Sequence, residues 1–246
     1  MVKLYPSIAR GIRFERNGFA RLDTEGTMMP ALVNKTVLVI GYTGGLGSQI
    51  TQQLQLAGAT VLGASTSQFD LNSEQSIEQF CAAVNSSNTT IDGIVLACGL
   101  VAFGAISETP IEITSRLIQV NFLGQTSLIQ KLLGKLNDSA AAGNEPFIVS
   151  ISGVIAENPM AGLAAYSASK TAIHGYAQAA ARELRKSGIS WIDCRPGHTE
   201  TGLASRAIFG KAPAFGTGLI PELVAKRIVD AIVNDEKDLP SSSFRS

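Results

Sequence analysis

Cysteine is scarce in this sequence: Cys81, Cys98 and Cys194 are three, an odd number, widely spaced in apolar surroundings. That count and spacing argue against a disulfide framework or a zinc site and leave reduced core thiols, with no metal expected. Net charge is missing too. Twenty basic residues balance 20 acidic ones, aromatics make up 6% of the chain, and no basic stripe is interleaved with them. Nucleic acid is therefore not an expected partner. No apolar run approaches the roughly 18 residues of a membrane span. With 45% apolar residues, the composition describes a soluble globular protein with a substantial core and no membrane partner. The N-terminus lacks the continuous apolar segment of a secretory signal and carries Arg10, Arg13, Arg16 and Arg21 among Glu15 and Asp23. The cytoplasm is the expected compartment, with an arginine-containing transit peptide as the alternative for these residues.

A chain of 246 residues suits a single α/β domain. Residues 1–30 lack clean periodicity and read as an N-terminal extension, with residues 31–246 forming the domain. The extension is either a partly ordered arm, an upstream start with Met29 as the alternative, or a segment packing on a partner subunit. The first convincing strand is Lys35–Ile40. It runs into Gly41-Tyr-Thr43-Gly-Gly45-Leu46-Gly47, then a helix pattern from Ser48 to Ala57, then a second strand from Thr60 to Ala64. Strand, glycine turn, helix and strand make the βαβ unit of a dinucleotide-binding fold. The glycines let backbone amides approach a pyrophosphate at a helix N-terminus, which a Cβ would obstruct.

Phe69-Asp70-Leu71 reads as a short third strand, with Asn72 or Ser73 capping a helix to about Val84. A fourth strand, Asp92–Ala97, ends on Cys98-Gly99. Helices follow from about Pro110 to Leu136, broken or kinked near Val120-Asn121, and a loop is expected over Asn137–Glu145. Phe147–Ile151 and Ser190–Cys194 are the fifth and sixth strands. Helical crossovers predict a doubly wound parallel sheet of about six strands, with helices on both faces.

Tyr166 and Lys170 open an alanine-rich helix running to about Lys186. Four residues apart, they share one helix face, so a phenol and an ammonium can point into one pocket. An adjacent cation favours the phenolate and moves a tyrosine towards working pH. His174 lies one turn beyond Lys170 and reads as packing or solvated. His198, after Pro196-Gly197, reads as an exposed loop residue or a substrate contact.

In order, these motifs resemble the short-chain dehydrogenase/reductase family over about residues 35–235. The family's glycine motif matches Gly41, Gly45 and Gly47. Its turn after the fourth strand keeps only the final glycine, Gly99. Its structural asparagine matches Asn121, its Tyr-x-x-x-Lys pair Tyr166 and Lys170, and its Pro-Gly turn Pro196-Gly197, with Thr201 at the cofactor-contacting threonine. The resemblance implies strand order 3-2-1-4-5-6 and a nicotinamide cofactor held by the glycine turn with Thr43 and Leu46, by Ser65 and Asp70, by Gly99, by Tyr166 and Lys170, and by Pro196, Gly197 and Thr201. Tyr166 would act as acid/base, Lys170 would hold the nicotinamide ribose and depress the tyrosine pKa, and Asn121 would position a relay water.

The family serine that lies thirteen residues before the tyrosine falls here on Gly153, so the neighbouring Ser152 is expected to compensate in part. The end of the second strand, Ser65-Thr66-Ser67, carries no acidic residue and no Arg or Lys, which predicts a weak preference for NADP over NAD. The segment Leu203–Leu219, holding Ile208, Phe209 and Phe215, suits an apolar lid and a mainly apolar small-molecule substrate. No seventh strand is visible, so a homodimer through Asn121–Leu136 and Ala164–Lys186 is expected rather than the family's tetramer. The expected function is an NAD(P)-dependent oxidoreductase interconverting a ketone or aldehyde and an alcohol. The alternatives are redox-neutral isomerase, dehydratase or cyclase chemistry, or a dinucleotide-binding scaffold.

Overall fold

Five β-branched runs form the sheet: β1 (Thr36–Ile40), β2 (Thr60–Ala64), β3 (Gly93–Leu96), β4 (Phe147–Ile151) and β5 (Ser190–Cys194). The computed structural model describes residues 31–244, so the extension read over residues 1–30 lies outside the described residues. The strands are all parallel, in the order β2-β1-β3-β4-β5. The inner strands are buried on both faces, which is why they are continuously apolar rather than alternating.

The helices are α1 (Gly45–Leu56), α2 (Glu74–Ser86), α3 (Ile111–Ile118), α4 (Gly124–Ala141), α5 (Ala164–Leu184) and α6 (Pro221–Val233). Leu38, Ile40, Ile94, Leu96 and Ile148 face one layer, made by Ile77 of α2, Leu128 and Leu132 of α4 and Ile173 of α5. Val37, Val39, Val95 and Val149 face the other, made by Ile50 and Leu54 of α1 and Val224 and Ile228 of α6. Among the described residues no helix is long and apolar enough to cross a membrane.

Among the described residues the sheet has five strands rather than six, because Phe69–Leu71 pairs with none. Phe69 and Leu71 are both buried, a strand-like i, i+2 pattern, and Phe69 stacks on Phe80 of α2 at 4.2 Å. The backbone there is satisfied locally instead: the Phe69 amide donates to the Ser65 carbonyl, the Asp70 amide to Ser76 Oγ, and the Asn72 amide to Asp70 Oδ1. Ser73 caps α2, its hydroxyl accepting from the Ser76 amide. The loop expected from Asn137 is shorter, since α4 continues to Ala141. In place of a seventh strand, Leu239 makes one parallel bridge to Cys194.

The kink expected near Val120-Asn121 is a π-helical turn, Gln119–Leu123, joining α3 to α4 without a break. Such turns insert an extra residue and re-aim side chains, and this one turns Asn121 fully inward.

Asp92 ties the base of the sheet together. It is buried, and its carboxylate accepts from the Thr36 amide at 2.8 Å and the Ser139 hydroxyl at 2.6 Å. Asp92→Ala strands both donors and is expected to cost about 1–3 kcal/mol in equilibrium denaturation, whereas Asp92→Asn, which keeps one acceptor, loses less.

Candidate active site

The strand order places a switch point between β1 and β3, where successive connections leave in opposite directions and open α/β sheets bind ligands. The glycine turn sits there. Gly41 has φ +86°, and a Cβ on Gly47 would lie 2.1 Å from the Gly41 carbonyl oxygen, so this turn closes only without side chains at both positions. It delivers the chain into α1 with Gly44 as N-cap, no side-chain cap and no acidic residue in the first turn. Those uncapped amides fit a dinucleotide pyrophosphate. Thr43 is exposed at the turn, and Leu46 packs against the α1–α6 layer.

Thr201 comes back to the same place from beyond β5: a Cβ on Gly45 would lie 2.4 Å from its carbonyl oxygen. Pro196 is buried and Gly197 half-buried at the start of that excursion. At the end of β2, Ser65 Oγ lies 2.9 Å from Ser67 Oγ, and both hydroxyls donate to Gln68 Oε1. Asp70 is exposed, and its carboxylate accepts from the Asn72 amide.

Tyr166 and Lys170 lie on the first two turns of α5. The Lys170 ammonium donates to the Ile151 carbonyl at 2.7 Å. A Cβ on Gly99 would lie 3.4 Å from that ammonium nitrogen and 3.0 Å from Asn121 Oδ1, so Gly99, Asn121 and Lys170 meet at one point. Asn121 is fixed by three bonds: its Oδ1 accepts from the Leu100 amide, and its Nδ2 donates to the Leu100 carbonyl and to Ser169 Oγ. The expected depression of the tyrosine pKa is not what the structure shows. Burial pushes the Tyr166 phenol up to about 12, while the lysine ammonium is turned to the Ile151 carbonyl. Burial also lowers the Lys170 pKa, opposed by the charge of Asp193.

Ser152 requires a second correction. It is wholly buried, and its hydroxyl donates to Asp193 Oδ2 at 2.6 Å, so it does not stand in for the absent serine at a substrate oxygen. It keeps the alternation of β4, on the same side as Ser150, whose hydroxyl donates to Asp193 Oδ1 at 2.6 Å. His174 Nδ1 lies 2.7 Å from Asp193 Oδ2, which makes this histidine part of a buried polar cluster rather than a solvated helix residue. Asp193, Ser150 and Arg195 escaped the motif reading. Their one sequence signal was the pair of serines two apart at the end of an apolar strand, with an acid inside the next one.

An apolar cluster packs against Tyr166: Val101, Phe103, Ile155 and Leu163 are buried together, with Tyr166, Leu203, Ala207 and Phe215 partly buried against them. The segment expected as a lid lies across it. Its Ile208 amide donates to the Val101 carbonyl, and its Phe209 carbonyl accepts from the Phe103 amide. His198 stacks on Phe215 at 4.6 Å between ring centres. Among the described residues no group of three or more His, Cys, Asp or Glu is placed to hold a metal ion.

A family model described as short chain dehydrogenase matches residues 62–208. The chain belongs to this family. The matched stretch begins within β2, so the glycine turn lies outside it and rests on the geometry above. This short-chain dehydrogenase is 28% identical over 241 residues to a "Dehydrogenase/reductase SDR family protein 7-like" of Anopheles gambiae, covering 85% of this chain and 75% of that one. Among solved structures, the 3-ketoacyl-(acyl-carrier-protein) reductase from Brucella melitensis complexed with NADH superposes with a TM-score of 0.76 at 19% identity, over 87% of this chain and all of that one. The Pseudomonas aeruginosa RhlG/NADP active-site complex gives 0.73 at 22% identity, over 86% and 96%.

Gly153 holds φ +78° and ψ 164°, a region open essentially to glycine alone. An added Cβ would meet only the Pro196 carbonyl, at 3.6 Å, so the obstacle to serine here is backbone conformation rather than space. Gly153→Ser is expected to lower stability by about 1–3 kcal/mol in chemical denaturation; unchanged stability would show that the turn relaxes to accept the family serine.

Proposed function

We propose that this chain is an NAD(P)-dependent oxidoreductase interconverting a carbonyl and an alcohol on a mainly apolar small molecule. The observation that carries this reading is Tyr166 packed, part-buried, on an apolar cluster, one helical turn from a Lys170 ammonium fixed beside Asn121 and Gly99. The dinucleotide supplies the hydride. The chain's residues bind and orient, exclude water and move the proton. With burial holding Tyr166 at about 12, the phenol keeps its proton at neutral pH, which suits it to donate to the oxygen of a carbonyl being reduced. Asn121, tied to Leu100 and Ser169, is a fixed point from which water can be ordered towards Lys170. The uncapped start of α1, the glycine turn and Thr201 together fit the pyrophosphate. Two structures that superpose on this one hold NADH and NADP, in support of that cofactor class.

A weak preference for NADP follows from the Ser65, Ser67 and Gln68 cluster, which carries hydroxyls and an amide for a phosphate and no carboxylate to repel one. Gly153 favours a second reading, a redox-neutral isomerisation, dehydration or cyclisation, since no hydroxyl at that position holds the substrate oxygen. Assays following NAD(P)H absorbance over a panel of apolar and charged ketones and aldehydes, with product analysis, separate the two.

Tyr166→Phe is expected to reduce turnover by about a hundredfold to ten-thousandfold while leaving dinucleotide binding nearly intact. Alcohol oxidation needs the phenolate, so its rate is expected to climb with pH across the alkaline range towards about 12, while carbonyl reduction shows no such rise. A neutral-pH midpoint for oxidation that vanishes in Tyr166→Phe would contradict the raised phenol.

Assembly as a homodimer through α4 and α5 is part of the same proposal. Ala168, Gly175 and Ala179 are exposed along α5, and a Cβ on Gly175 or on Gly134 of α4 would meet nothing within 4 Å, so both helices offer backbone for close approach. Light scattering is expected to give a dimer mass, and Gly175→Trp to lower it towards a monomer.

A further inference from the structure

We propose that Asp193 is a positioning residue for Lys170: by gathering the hydroxyls of Ser150 and Ser152 onto one buried carboxylate, it fixes the Ile151 carbonyl between them as the acceptor that holds the lysine ammonium. This rests on the reading of Lys170 as a dinucleotide-holding and proton-handling residue. Asp193 stands opposite Ser150 in the β4–β5 register, and each of its carboxylate oxygens takes one of the two serine hydroxyls at 2.6 Å. The Trp191 indole donates to Ser150 Oγ at 3.0 Å, locking that hydroxyl's direction. The amides of Ser152 and Gly153 both donate to the Cys194 carbonyl, at 3.0 and 3.1 Å, so the strand end carrying the Ile151 carbonyl is pinned to β5.

The same carboxylate reaches the helix that carries the ammonium. His174, one turn beyond Lys170 on α5, brings Nδ1 to 2.7 Å from Asp193 Oδ2, which sets the roll of α5 about its axis. One group thus fixes both partners of the Lys170–Ile151 bond. The cluster is no nucleophilic triad, because Ser152 and His174 each bond the carboxylate rather than one another. Arg195 supplies the countercharge, with its Nη1 3.3 Å from Asp193 Oδ2 and 2.7 Å from Asp238 Oδ1. The titratable and charged groups about Lys170 are Tyr166 and His174 on its own helix, Cys98 after β3, and Asp193 with Arg195 on and after β5. Of these, the charge of Asp193 works against the loss of the Lys170 proton that burial favours, while burial keeps the Cys98 thiol protonated.

The test is a double-mutant cycle between positions 193 and 170 on the full chain, using NADH and NADPH as probes in fluorescence titrations across pH, with carbonyl turnover measured alongside. Asp193→Asn, close to isosteric, is expected to weaken dinucleotide binding about tenfold in the native background and hardly at all in Lys170→Ala. It should also bring the alkaline loss of binding to lower pH, since a charge favouring the ammonium is gone. Ser152→Ala should act in the same direction by a smaller factor, and it replaces Asp193→Asn in the cycle if circular dichroism shows that variant unfolded. Equal losses in both backgrounds would mean a purely structural carboxylate and overturn the proposal while leaving Lys170 its role. A Lys170→Ala enzyme that binds and turns over like the native chain would instead overturn the functional reading, and this inference with it.

Discussion

A lysine ammonium that is almost wholly buried needs a fixed partner, because desolvation alone would strip its proton or drive the side chain back to water. In this protein the partner is the carbonyl of Ile151, at the end of a central strand. Much of the surrounding architecture serves that bond. It requires β4 to end level with the second turn of α5, α5 to roll its Lys170 face onto the sheet, and the turn after β3 to be glycine so that Asn121 and the ammonium can close on it. The active-site geometry is therefore inherited from the packing of α5 on β4 and β5, and the loops add to a position the core has already chosen.

The apolar cluster of Val101, Phe103, Ile155 and Leu163 packs against Tyr166, and burial there pushes the phenol's pKa up. Under the proposed function, selectivity and proton affinity share one cause. A more polar lining would relax both together, which ties the range of carbonyls accepted to the ease with which the reaction runs backwards.

The order of elements was legible because each strand is a short β-branched run closed by small residues and each crossover carries a helical period. The glycine turn, Asn121, Tyr166 and Lys170 were legible because their spacing is local. Phe69–Leu71 misled for a physical reason: two buried residues two apart look the same whether their backbone pairs with a strand or, as here, with Ser65 and Ser76. The Asp193 cluster was hidden because it is assembled from β4, β5 and α5 by cross-strand register, which no spacing along the chain reports. The direction of the Tyr166 pKa was not legible, since the spacing shows proximity to a cation but not burial.

The π turn between α3 and α4 sets the phase between two halves of what would otherwise be one helix. Each residue of an α-helix advances the side chain by about 100°, so one residue added or removed within Gln119–Leu123 would rotate all of α4 against α3. Either Asn121 would leave the site, or Leu128, Leu132 and Leu136 would leave the core. The length of this stretch cannot drift. A single-codon insertion or deletion here would reach the whole molecule, although the stretch lies in neither the glycine turn nor α5, which carries Tyr166 and Lys170.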